Sequence, residues 1–334
     1  MKLRAIIKCL FLSLIICVPT LMFYKNFFGT TIIDIETQSE GWIFEELEYL
    51  ERQAHLNKMC KFINNKSVDF KNDNNINAVI NQREVLEHIL VDSKHEIVYC
   101  YVPKVACTNW KRVMMLLLGI VETSDLLSIP SDLVHRQHLM PSLINYTVPE
   151  IKNILKSYKK FLFVRHPFER LLSAYKNKFE QHYNSSKYFQ SRFGRMIIKN
   201  FRRNPSNRSL TTGDDVTFEE FVDFVVSENT VFNEHWKPIF DLCQPCLVKY
   251  DFIGKYESLY SDSDFLLNQI GLLNVTFPRL QKTVSTSTYL SKYLPQLSYR
   301  NLCNLYKVYY NDFKIFNYNL QEYLGYEINI NKDW

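Results

Sequence analysis

No Gly-x-x-x-x-Gly-Lys-Ser/Thr run occurs in the 334 residues, so a Walker A nucleotide loop is excluded. Cys243 and Cys246 are closely spaced, but no second pair at zinc-ribbon spacing follows them, which argues against a structural metal. There is no internal repeat. Charge of one sign is also lacking: 40 Lys and Arg stand against 35 Asp and Glu. The net charge of +5 points to an acidic ligand but is far from that of a dedicated nucleic-acid binder. At 46% hydrophobic and 22% charged residues, the composition is that of an ordinary globular protein.

The N-terminus carries the first positive signal. Lys2, Arg4 and Lys8 precede an uncharged run from Cys9 to Tyr24, which Lys25 closes. At about 1.5 Å per helical residue the run is short for a bilayer, but it spans if it extends from Ala5 with Lys8 snorkelling to the headgroups. A cleaved signal peptide shares the charged start and apolar middle, yet no convincing small-x-small site follows. The positive-inside rule then predicts a cytosolic tail over 1–8, a transmembrane signal anchor over 9–24 and a lumenal remainder. Sequons at Asn65, Asn145, Asn184, Asn207 and Asn274 agree with a lumenal body, whereas Asn204 is disqualified by Pro205. Beyond the anchor stand Cys60, Cys100, Cys107, Cys243, Cys246 and Cys303, an even set expected to oxidise in that compartment, in pairings the sequence does not choose.

Residues 25–95 have little sustained apolar periodicity and an Asn-rich stretch from Asn64 to Asn77, which predicts a stem without a packed core. The body is expected over 96–334. Glu96 to Val102 reads as a buried strand ended by Pro103, and Asn109 to Leu118 as a helix stopped by Gly119. A capping box at Thr147 and Glu150 predicts a helix to Lys156. The strand Lys160 to Arg165 and a helix from Pro167 to Phe179 make a second strand-loop-helix unit. Thr217 to Val226 carries another capping box, and Cys246 to Tyr256 looks like a later strand. Strands alternating with helices predict an α/β fold with a mainly parallel sheet flanked by helices. The Tyr-rich and Phe-rich C-terminal helices read as packing.

Two loops carry the chemistry. The run Pro103-Lys104-Val105-Ala106-Cys107-Thr108-Asn109 links a strand to a helix, where backbone N–H groups and the helix dipole attract an anion. Lys104 adds a point charge and Thr108 a hydroxyl. In the second unit Arg165 ends a strand, and Arg170 and Ser173 lie on the following helix, where Arg165 and Ser173 can contact a further phosphate.

These segments resemble the membrane-bound chondroitin and dermatan 4-O-sulfotransferase family of carbohydrate sulfotransferases. The likeness runs from about Ile97 to Tyr318 and includes Gly213-Asp214-Asp215-Val216, Phe232-Asn233-Glu234-His235-Trp236, Leu242-Cys243-Gln244-Pro245-Cys246 and Tyr250 to Glu257. It implies a P-loop-like sulfotransferase fold with 3′-phosphoadenosine-5′-phosphosulfate as co-substrate and no metal. The first loop then corresponds to the 5′-phosphosulfate site, and Arg165 to Ser173 to the 3′-phosphate site. His166 stands where an acidic residue is frequent, and Ala106 and Cys107 replace a glycine and a threonine of cytosolic sulfotransferases.

The implied reaction is an in-line displacement at sulfur, with Lys104 stabilising charge on the leaving phosphate oxygen and a histidine accepting the acceptor proton. Register against the family places His135 at a family histidine. His138 and His235 are the alternatives. Arg192, Arg195, Lys199, Arg202, Arg203 and Arg208 form a basic stretch that suits either a solvated loop or a polyanion. The resemblance implies a Golgi type II membrane enzyme acting on glycosaminoglycan chains of proteoglycans, with no nucleic-acid partner. N-glycan N-acetylgalactosamine, terminal glucuronate and a non-catalytic glycan-binding role are the other readings.

Overall fold

The chain builds one sheet from four short strands: β1 (Ile89–Asp92), β2 (Ile97–Cys100), β3 (Lys159–Val164) and β4 (Phe252–Lys255), side by side in that order. β1 and β2 form an antiparallel hairpin in which the Asp92 carboxylate accepts from the backbone N–H of Lys94 and His95. β2, β3 and β4 are mutually parallel, pairing Tyr99 with Phe161 and Phe161 with Phe252. Nearly every strand residue is buried, so both faces of the sheet are covered, as a parallel sheet requires. The expected α/β architecture holds, with β1 as its antiparallel edge.

The computed structural model describes residues 31–64, 73–228, 230–279, 286–326 and 328. The expected tail and anchor, and Asn65, lie outside the described residues. Among the described residues no helix is long and apolar enough to cross a membrane. Two compact units divide the chain, Met1–Glu51 and Arg52–Trp334. Helix α1 (Thr31–Asn64) provides what is described of the first and enters the second.

The stem expectation fails for the described residues 52–64 and 73–95. Leu56 and Cys60 on α1, Ile76 and Val79 on α2 (Asp73–Ile80), and Val85 and Leu86 on α3 (Arg83–His88) are buried, and β1 belongs to the sheet. Arg52 donates to the Asp262 carboxylate at 2.5 Å, an ion pair almost closed to solvent. Helices α2 and α3 are too short to display the apolar period that marks a core helix.

Cys60 bonds Cys246, and Cys100 bonds Cys243. Two neighbouring cysteines therefore fasten α1 and β2 to one turn, the structural use expected of them. The expectation that all six cysteines beyond the expected anchor oxidise fails, because Cys107 and Cys303 are free and buried in different elements. The expected strand from Cys246 is also too long. Gln244 is left-handed (φ +46°) and the Tyr250 hydroxyl donates to the Cys243 carbonyl at 2.8 Å, so this stretch folds back and only Phe252–Lys255 is extended.

Helix α4 (Cys107–Leu117) follows β2 and is stopped by Gly119 at φ +68°. Helix α5 (Val148–Ser157) starts with the predicted Thr147–Glu150 capping box and leads into β3. Helix α6 (Pro167–Tyr175) follows β3 and continues as a π-helical turn over Lys176–Glu180. It packs with α7 (Phe218–Val226), which has the predicted Thr217 box, and with α8 (Tyr299–Val308) around the fully buried Trp236. Trp236 is ringed by Phe193, Phe221 and Phe224, and the Tyr309 hydroxyl donates to its carbonyl. The C-terminal aromatics Tyr306, Tyr309 and Phe313 thus serve packing, and the Tyr309 bond fixes the backbone at Trp236.

Candidate active site

The site begins where β2 runs out. Pro103 to Ala106 turn tightly into α4, with Lys104 at φ +70° and Ala106 at φ +53°. Two non-glycine residues in the left-handed region store strain of roughly 1–2 kcal/mol each. Ala106 explains why glycine suits this position, since glycine adopts that conformation without a Cβ penalty. At the first turn of α4 the N–H groups of Cys107 and Thr108 have no intrahelical acceptor, as the helix geometry dictates.

The second unit holds the turn in place. Arg165, at the end of β3 and 3% exposed, donates to the Lys104 carbonyl at 3.1 Å and pairs with Glu169 at 3.2 Å. Its guanidinium lies 4.0 Å above the Tyr256 ring, and its Nε has no hydrogen-bond partner. Arg170 is 1% exposed and donates to three carbonyls, of Pro103, Lys237 and Glu234. This corrects its expected role: Arg170 braces the loop and the 234–237 segment, and its guanidinium is committed to backbone. Ser173, one turn further along α6, is half-buried.

His166 caps the helix that follows it. Its Nδ1 accepts from the Glu169 N–H at 3.4 Å as the helix N-cap, while Nε2 donates to the Asn319 carbonyl at 3.0 Å. Burial lowers its pKa to about 4, so the neutral ring that capping requires is the resident form.

Cations outnumber their partners in front of the loop. Lys104 is half-buried and its ammonium has no carboxylate partner among the described residues. Loss of water, then the charge of Lys178, lowers its pKa to about 8. Lys178 and Lys111 are buried, with ammonium groups over the rings of Phe189 (4.3 Å) and Tyr101 (3.5 Å). Burial depresses both of their pKa values. Desolvated cations gathered around open N–H groups leave an electrostatic deficit that a polyanion fills.

Three histidines were candidates, and the structure separates them. The His135 Nε2 is 2.9 Å from the Thr108 hydroxyl. The residue is exposed, yet partial loss of water and the nearby Lys111 lower its pKa to about 4. His235 accompanies Lys178 and Lys104, and burial and those charges push its pKa well down. His138 is exposed in a left-handed turn (φ +58°) and shares no contact with this group.

Lys178, Lys111 and Glu234 escaped the sequence reading. Lys178 lies on the π-helical turn after α6, where the extra residue removes it from any α-helical period. Glu234 lies 3.2 Å from the His88 Nε2; burial opposes its ionisation, but His88, His235 and Lys111 around it hold its carboxyl down to about 2. Glu234 stands in the Phe232-Asn233-Glu234-His235-Trp236 stretch, which was the available signal. Val105 and Asn109 are buried, and the Asn109 amide serves the Pro278 carbonyl and Arg112, so their side chains are structural. No group of metal-ligating residues occurs among the described residues.

A family model described as the sulfotransferase family matches residues 87–319, which holds both loops and the 234–237 segment. The chain belongs to the sulfotransferase family. It is 46% identical over 245 residues to carbohydrate sulfotransferase 11 of Rattus norvegicus, covering 72% of this chain and 69% of that protein. Carbohydrate sulfotransferase 14 of Danio rerio is 41% identical over 249 residues (72% of this chain, 65% of the relative). Carbohydrate sulfotransferase 8 of Homo sapiens is 39% identical over 241 residues (70% and 56%). No solved structure matches. The protein is a carbohydrate O-sulfotransferase, and membership implies 3′-phosphoadenosine-5′-phosphosulfate as its sulfate donor. The unpaired Lys104, the open first turn of α4 and the partnerless Arg165 Nε fit a ligand that carries phosphate and sulfate groups.

Proposed function

We propose that the enzyme transfers a sulfuryl group from this donor to the 4-hydroxyl of N-acetylgalactosamine in chondroitin or dermatan chains. The observation that carries the donor half is Lys104: a desolvated ammonium without a counter-charge, on a strained turn beside open N–H groups. The acceptor half is supported by the likeness of the family stretches to chondroitin and dermatan 4-O-sulfotransferases.

The donor supplies an activated sulfuryl group on a phosphate leaving group. Lys104 and the α4 N-terminus hold negative charge on the phosphate side, and Arg165, already rigid on Glu169 and Tyr256, holds the 3′-phosphate together with Ser173. Thr108 bridges the loop to His135, whose neutral imidazole accepts the hydroxyl proton. Pro103, Val105, Ala106, Cys107 and Asn109 shape the turn and contribute backbone. Disaccharide analysis of enzyme-treated desulfated chondroitin tests the acceptor: sulfate at the 4-position is expected, and sulfate only elsewhere, or only on N-glycans, rejects it.

The body is proposed to lie in the Golgi lumen behind the 9–24 anchor. Exposure of Asn145, Asn184, Asn207 and Asn274 and the two disulfides support this compartment. A tag at the C-terminus is then protected from protease in intact microsomes. Its digestion would reject the lumenal assignment.

A further inference from the structure

The basic stretch of 192–208 is not one surface. Arg202 is enclosed by Asp215 and Glu220, and Arg208 pairs with Asp214, so both charges are met within the protein. Arg192 differs. It is exposed, with no carboxylate partner among the described residues, and it donates to the Tyr188 hydroxyl at 3.0 Å. Tyr188 is 54% exposed, an aromatic surface without apolar cover.

This pair is continuous with the active site. Tyr188 meets Phe189 edge to face at 5.3 Å, and Phe189 lies 5.1 Å from the His235 ring and 4.3 Å from the Lys178 ammonium. The backbone beneath is fixed in an uncommon way. A π-helical turn at Lys176–Glu180 carries Lys178, and another at Gln190–Gly194 carries Arg192. The second is locked by glycines: a Cβ on Gly194 would sit 2.1 Å from the Gly213 carbonyl oxygen, and one on Gly213 2.1 Å from that of Gln190. Such turns occur frequently at functional sites.

We propose that Tyr188 and Arg192 form an acceptor subsite that binds a uronate-bearing sugar flanking the residue to be sulfated. Tyr188 offers a flat face to a pyranose ring, and Arg192, held by the Tyr188 hydroxyl, pairs with the uronate carboxylate. Lys178 and His235 continue the path inward to Lys104. The inference rests on the proposed glycosaminoglycan acceptor and adds which residues read its repeating carboxylate.

Steady-state kinetics of the intact enzyme on desulfated chondroitin test it. Arg192→Ala is expected to raise the polymer KM about tenfold, the loss of one charge-assisted contact, while kcat and the donor KM stay within about twofold. Arg192→Glu raises it further, Arg192→Lys recovers part, and Tyr188→Ala raises it severalfold. Arg208→Ala leaves it unchanged. An N-acetylgalactosaminide without uronate is sulfated equally by wild type and Arg192→Ala. An unchanged polymer KM in both Arg192→Ala and Arg192→Glu overturns the subsite, as does an equal loss on the uronate-free acceptor or in Arg208→Ala. If the wild type sulfates N-glycans but no uronate polymer, the acceptor reading falls and the subsite with it. Normal wild-type turnover of chondroitin with unaffected Arg192 variants removes the subsite alone.

Discussion

Lys104→Ala is expected to lower kcat/KM for the sulfate donor by about 10²–10³, the usual loss when one preorganised group facing transition-state charge is removed. Stability should be unchanged or slightly higher, because the lysine is a desolvated cation among like charges with no partner to abandon. That combination separates a ligand-binding lysine from a structural one, and differential scanning calorimetry with donor-dependence kinetics reads both. Arg165→Ala is less clean. It leaves the buried Glu169 carboxylate without its cation, an exposure to unpaired charge that costs about 3–5 kcal/mol. The pH profile gives a second reading. With the Lys104 pKa lowered to about 8, kcat/KM for donor should fall above about pH 8 as the ammonium is lost, and Lys104→Arg should carry that limb to higher pH. Full activity in Lys104→Ala would show that the donor site lies elsewhere.

His135→Ala should lower kcat by about 10² or more with the donor KM nearly unchanged, because proton abstraction matters in the transition state. The sign of its titration is specific. A pKa lowered to about 4 keeps the imidazole neutral through pH 5–8, so the acid limb of kcat/KM belongs near pH 4 and not near the ordinary histidine value of about 6.5. His138→Ala, with its exposed ring outside the site, should be close to wild type. His235→Ala is the informative comparison, since the charges of Lys178 and Lys104 also bear on His235. A loss confined to that variant transfers the role of base to His235, and a loss in neither removes histidine from the proton transfer.

The elements that frame the candidate site were legible because their ends announce themselves. Pro103 ends a β-branched run, Thr147 and Thr217 cap helices with Glu150 and Glu220, and Pro167 opens α6 behind Arg165. What escaped depends on contacts across the fold. Arg170 looks like a second phosphate ligand in one dimension, and only the approach of Pro103, Glu234 and Lys237 turns it into a brace. Residues 52–95 look coreless because α2 and α3 bury only a few side chains each, and their anchorage comes through Cys60 and Arg52 from partners about two hundred residues away in sequence. The π-helical turns that carry Lys178 and Arg192 have no periodic signature, so neither residue could be aimed from sequence.

The most direct test of the central claim is transfer of labelled sulfate from 3′-phosphoadenosine-5′-phosphosulfate to desulfated chondroitin by the purified protein, run beside Lys104→Ala at equal concentration and equal folded fraction. The account predicts label on the polymer with wild type and a loss of about 10² or more with the variant. Equal labelling by both proteins, or none by the wild type on any glycan acceptor, would contradict it.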